Sequence, residues 1–136
     1  EAGQTDRFPS AIGLAHSSHK LSHEKKNYAD VAKYITFLNE MHANFIKKLD
    51  SMQEGDGTLL DSTLCFYGCA TSKTHQATNY PIILSGGKNM GFQHGSHFRY
   101  GDNIPLSNLF LTIANQIAGP TISFSDSTSD ITEVLG

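Results

Sequence analysis

Between residues 31 and 86 the spacing of apolar side chains changes from one period to another, and that change limits the architecture of the chain more than any other feature. Val31, Ile35, Leu38, His42, Phe45, Leu49 and Met52 recur at steps of three and four, and Tyr34, Met41 and Ile46 widen the stripe. Such steps place side chains on one face of an α-helix. Lys25, Lys26, Asp30, Lys33, Glu40, Lys47 and Lys48 take the other face. Gly55, Asp56 and Gly57 then break the pattern. Leu64-Cys65-Phe66-Tyr67 and Pro81-Ile82-Ile83-Leu84-Ser85 are continuous apolar runs, which read as strands covered on both faces. Pro81 stands at a first strand position, where its missing donor is tolerated.

The spacing predicts a long helix over 24–52 and strands over 63–68 and 81–85. Leu106, Leu109, Phe110, Ile113, Ala114 and Ile117 lie between Pro105 and Gly119-Pro120, and predict a second helix over 105–118. Ser22 is placed to cap the long helix, with Lys25 where a full capping box has an acid or amide. Residues 1–23 read as irregular backbone and 123–136 as extended loop. Helix, two mostly buried strands, then helix fits an α/β fold, as a slice of an α/β sandwich.

At 136 residues the chain is expected to be a single domain, able to bury most of its apolar surface. A formal charge of −3 argues against a nucleic-acid partner, which requires a clustered basic face. No apolar run approaches the ~18 residues of a membrane span, and no signal-peptide pattern opens the chain. It begins at Glu1 with no initiator Met, and is therefore expected to be a processed or excised piece. A piece of that kind leaves a sheet edge or apolar face uncovered, so a homo-oligomer or association with an upstream part is expected. Cys65 and Cys69 are too few for a disulfide framework or a four-cysteine zinc site. Cys65, inside an apolar run, is expected to pack as a small hydrophobe.

Seven histidines are unevenly placed. His16, His19 and His23 precede the long helix, His75 follows the first strand, and His94 and His97 follow the second. If the two strands are parallel neighbours, the loops after them share one edge of the sheet, where open α/β sheets build their sites. Imidazole is the commonest protein ligand for zinc and related ions. His19 and His23 form an H-x-x-x-H pair that one helical turn would aim the same way, a spacing that surface histidines also show by chance. His42 lies on the helix stripe and is expected in or beside the core. His16, without a partner at ligand spacing, is expected in solvent.

Several motifs occur in a particular order. Leu21-Ser22-His23, Glu54-Gly55-Asp56-Gly57-Thr58-Leu59-Leu60-Asp61, Pro81 to Gly86, Gly95-Ser96-His97-Phe98-Arg99-Tyr100, Pro105-Leu106-Ser107-Asn108-Leu109 and Phe124-Ser125-Asp126-Ser127-Thr128 follow one another between residues 12 and 128. In this the chain resembles the C-terminal part of an uncharacterised secreted bacterial family, domain of unknown function fifteen-fifty-two. That family is distantly similar to alkaline phosphatases and sulfatases.

The resemblance implies an alkaline-phosphatase-like sandwich, a periplasmic or secreted location, and a place as the C-terminal segment of a larger hydrolase-like protein. His19 and His23 look like the D-x-x-x-H pair that binds one metal in such enzymes, with His at the first place. Ser72-Lys73-Thr74-His75 stands where a Ser-Asp-His/Asn segment supplies ligands, and His97 stands for the last histidine of the superfamily. The implied metal set is therefore His19, His23, His75 and His97, for a divalent ion such as zinc. Lys73 departs from the metal-binding aspartate. A protonated lysine opposes a cation and suits a phosphate or sulfate oxygen instead, with Ser72 beside it as a second substrate-binding residue. No catalytic nucleophile is identified, and the strand and nucleophile that open such hydrolases are expected upstream. Two functions follow. One is a metal-dependent hydrolase-like domain acting on phosphate or sulfate esters. The other is a degenerate, non-catalytic binding or structural module of the cell envelope.

Overall fold

In chain order the elements are α1 (Ser18–His23), α2 (Tyr28–Asp50), β1 (Gln53–Glu54), β2 (Gly57–Thr58), β3 (Leu64–Gly68), β4 (Ile82–Gly86) and α3 (Ser107–Ala118), with 3-10 turns at Ser10–Ile12 and Lys88–Met90. The structure is a computed structural model and describes residues 10–23, 26, 28–69, 75–79 and 81–136. Helices and small antiparallel sheets make it a mixed α/β fold.

The long helix expected over 24–52 is α2, Tyr28–Asp50, and a separate short helix, α1, precedes it, with a turn at Lys26 between them. The Ser17 hydroxyl accepts the Lys20 N–H at 3.3 Å, an N-cap contact that starts α1 within a stretch expected to be irregular. Ser22 caps nothing. It lies inside α1, and its hydroxyl donates to the His19 carbonyl at 2.7 Å. Six residues with one buried apolar side chain, Leu21 at 2% exposure, are too short to show a helical period.

The apolar stripe of α2 is buried only at Leu49. Val31, Leu38, His42 and Ile46 are half-buried, whereas Ile35, Met41 and Phe45 are exposed. Period alone assigned the helix correctly but overstated how much of it is covered. After α2 the chain makes the small β1–β2 hairpin, with Gln53 opposite Thr58. Gly55 takes the positive φ (57°) at the first of the two turn residues. Two residues per strand leave no alternation to read, so this hairpin was not anticipated. Asp61 then fastens it, because its Oδ2 accepts the Thr58 N–H at 2.8 Å and the Thr58 hydroxyl at 3.2 Å.

β3 and β4 pair antiparallel, with Leu64 opposite Gly86 and Gly68 opposite Ile82. The parallel arrangement considered above is thus corrected. Parallel neighbours need a crossover, usually a helix, and the described part of the 69–81 connection contains none. Successive strand residues face opposite sides, and each side meets a different helix. Tyr67 stacks on His42 of α2 (ring centroids 4.4 Å, interplanar 10°) and donates its hydroxyl to Asn39 at 3.1 Å. Phe66 meets Phe110 of α3 at 5.3 Å, and Phe110 meets Phe124 at 5.6 Å. The hairpin is flanked but not sealed, since Phe66 is 41% and Ile83 46% exposed. The strands are therefore less buried than their apolar runs suggested. Cys65 is buried as expected, and burial pushes its thiol pKa up.

Behind α3 the core is partly polar. Asn108 and Thr112 are each 1% exposed. Asn108 Oδ1 accepts the Thr128 N–H at 2.8 Å, and Thr112 Oγ1 accepts the Ile131 N–H at 2.7 Å. The tail expected as loop is indeed without helix or strand, but it is strapped to α3, with Ile131 buried. A further backbone bond ties it to the hairpin side: Gln93 N–H donates to Val134 O at 2.9 Å.

Thr112→Val keeps the shape but leaves the buried Ile131 N–H without its acceptor, so urea unfolding should register a loss of about 1–3 kcal/mol. Asp61 gives a prediction in pH. The Thr58 N–H, more than nearby Lys88, holds its carboxyl below the ordinary carboxylate range. A lowered folded value means that the contribution is complete above the unfolded value and is lost as pH falls through the folded one. Thermal unfolding from about pH 6 to about pH 3 should therefore cost the native protein more stability than Asp61→Asn.

Candidate metal centre

The capped turn of α1 puts His19 and His23 four residues apart on one side of the helix, with ring centroids 4.8 Å apart. A third imidazole arrives from the β3–β4 connection. His75 has a left-handed backbone (φ 62°), a region in which histidine is among the better tolerated residues. Its ring lies 5.1 Å from that of His23 and 5.3 Å from that of His19.

The closest approach is between His23 Nε2 and His75 Nε2, 3.2 Å, where one ring's N–H donates to the other's lone pair. One potential ligand atom from each of the three residues lies within 4.8 Å of the others. A tetrahedral zinc with ligand nitrogens at ~2.0–2.1 Å sets those nitrogens ~3.3–3.4 Å apart. The His23–His75 separation already matches that edge, and His19 has to move inward by roughly an ångström or a little more for the same geometry. Rotation about two side-chain bonds supplies such a displacement without moving α1. None of the three rings is buried, so an ion reaches them directly from water. The three histidines could thus form a metal site, as the H-x-x-x-H spacing and His75 suggested.

The other expected site residues fall elsewhere. His97 is exposed and is not among the residues whose ligand atoms converge. The antiparallel ladder explains why: the segment after β4 leaves from the end of the hairpin opposite the segment after β3. Four strand steps of ~3.4 Å separate those ends by ~14 Å. His94 is held at the β4 end, its Nε2–H donating to Gly86 O at 2.6 Å. His16 is half-buried and outside the cluster, rather than free in solvent. His42 is half-buried as expected, stacked on Tyr67, and its Nε2 has no hydrogen-bond partner among the described residues. Ser72 and Lys73, assigned above to substrate, lie outside the described residues. Cys69 is exposed.

Comparison with protein-family models, with curated proteins and with solved structures found no match to the chain. The cluster is accordingly defined by its geometry. Dialysis against zinc followed by elemental analysis should find close to one ion per chain. His23→Ala should lose most of it, and His97→Ala should keep it.

Proposed function

We propose that the chain is a metal-binding, hydrolase-like domain of the phosphate or sulfate ester class. In this reading His19, His23 and His75 hold a divalent ion, with zinc the best fit, and the nucleophile comes from a part of the protein outside these residues. Convergence of three imidazoles from segments 52 residues apart carries the reading. Three neutral nitrogen ligands leave a tetrahedral ion one position for water or an ester oxygen, the arrangement of catalytic rather than structural zinc sites. An ion so bound polarises that oxygen. The ordered motifs between residues 12 and 128 supply the ester class and the periplasmic or secreted location, and the helices on either side of the hairpin are compatible with a slice of an alkaline-phosphatase-like sandwich. The exposed apolar side chains Ile35, Met41 and Phe45 offer a surface for self-association or for the rest of such a protein.

One observation favours the second reading, a non-catalytic module of the cell envelope. The hairpin is antiparallel, so the segments after β3 and β4 do not share one edge at which a substrate pocket would form. Calorimetric titration of the zinc-loaded protein with inorganic phosphate and with sulfate separates the two. The hydrolase-like reading expects saturable binding of at least one anion, lost on zinc removal and in His23→Ala. Tight zinc binding with no anion uptake would leave the structural module.

A further inference from the structure

We propose that an ion at His19, His23 and His75 is a clasp that fastens α1 to the β3–β4 connection, so that metal occupancy governs whether the two segments stay docked. The inference rests on the metal-binding reading and adds a consequence to it. α1 has six residues, far below the ~12–15 at which isolated helices become even marginal in water. Its place therefore depends on tertiary ties. One such tie is the burial of Leu21, 2% exposed, while the Ser17 cap supports the first turn locally. On the histidine side a tie to the described part of the β3–β4 connection is the 3.2 Å contact between His23 and His75, reinforced by tilted ring contacts with His19.

That tie is weak without an ion. A hydrogen bond between two imidazoles is one N–H facing one lone pair, and His23 and His75 are both exposed to water that competes for it. An ion reverses the balance, because it uses the lone pairs of all three rings at once. Two of its ligands lie on α1 and the third lies beyond α2, the β1–β2 hairpin and β3. Coordination therefore closes the chain between residues 23 and 75. The left-handed backbone of His75 is consistent with a residue held in place by its side-chain contacts. All three ligands are nitrogen, and among the described residues no carboxylate belongs to the cluster. Such a set suits zinc and neighbouring transition ions, whereas magnesium and calcium take oxygen ligands.

The experiment measures hydrogen exchange and thermal unfolding of the same protein with zinc, with magnesium, and after chelation. His75→Asn is the variant of choice, since asparagine also tolerates a left-handed backbone and takes away the imidazole. Zinc at about a hundredfold its Kd should raise Tm by roughly 5–10 °C, and slow exchange at least about tenfold in both 18–23 and 75–79. Magnesium should do neither, and His75→Asn should lose both effects of zinc while unfolding cooperatively. Stoichiometric zinc with protection confined to α1, or with none, would overturn the clasp and leave the metal site standing. Equal protection by magnesium would also overturn it. Failure to bind zinc at all would remove the metal reading and the clasp together.

Discussion

The antiparallel ladder between Leu64–Gly68 and Ile82–Gly86 decides which parts of this chain can meet. It sends the segment after β3 and the segment after β4 to opposite ends of the hairpin, so that His75 joins the histidines of α1 and His97 does not. It also orients Tyr67 toward α2 and Phe66 toward α3, which fixes the two helices on opposite sides. At its end, Gly86 adopts a positive φ of 77° where a Cβ would collide with the carbonyl oxygens of Thr63 and Leu60. A side chain there would have to displace backbone, not a flexible neighbour. The neighbouring Gly87 N–H donates to Leu60 O at 3.0 Å, and Asn89 N–H to Asp61 O at 2.9 Å. The end of β4 and the turn that carries Asp61 are thus one unit, and the Gly/Asp-rich sequence on both sides of it has a steric purpose.

The second constraint is polar. With few strands to cover it, α3 turns toward the C-terminal tail a face bearing Asn108 and Thr112. Each side chain satisfies backbone groups of the tail that would otherwise be unpaired. Thr112 Oγ1 serves a donor and lies within reach of two carbonyls, those of Asn108 and Ile131, at 3.1 and 3.0 Å. Ser107 adds a bond to Asp126 at 2.6 Å. Such groups hold an irregular tail in place, since each buried bond lost leaves a desolvated partner.

How much of this was legible follows from the length of each element. α2 and α3 are long enough for apolar period to locate them within a few residues, and the two apolar runs located β3 and β4. Period does not say what covers a face, so the exposure of Met41, Phe45 and Ile117 could not be read from it. Nor does it give strand direction, which depends on whether the connection can build a crossover. α1 and the β1–β2 hairpin are too short to show period at all. At the site, the H-x-x-x-H spacing and a histidine after the first strand pointed to three members of the cluster. The fourth expected ligand, His97, rested on the resemblance and on a parallel edge, whereas the hairpin is antiparallel. Asn108 and Thr112 carried no apolar signal, and only their i, i+4 spacing on one face of α3 hints at a shared partner.

The histidine cluster has its own physical logic, which does not depend on a family. Each of three imidazoles brings a ligand atom to within 4.8 Å of the others. That is a good arrangement for an ion, which takes the lone pairs of all three rings at once. The His23–His75 contact is the compromise open to the rings alone: one shared proton, one lone pair facing it, and His19 left at the margin. Exposure leaves the lone pairs not used in that contact open to water. It also means that metal and protons compete for the same lone pairs.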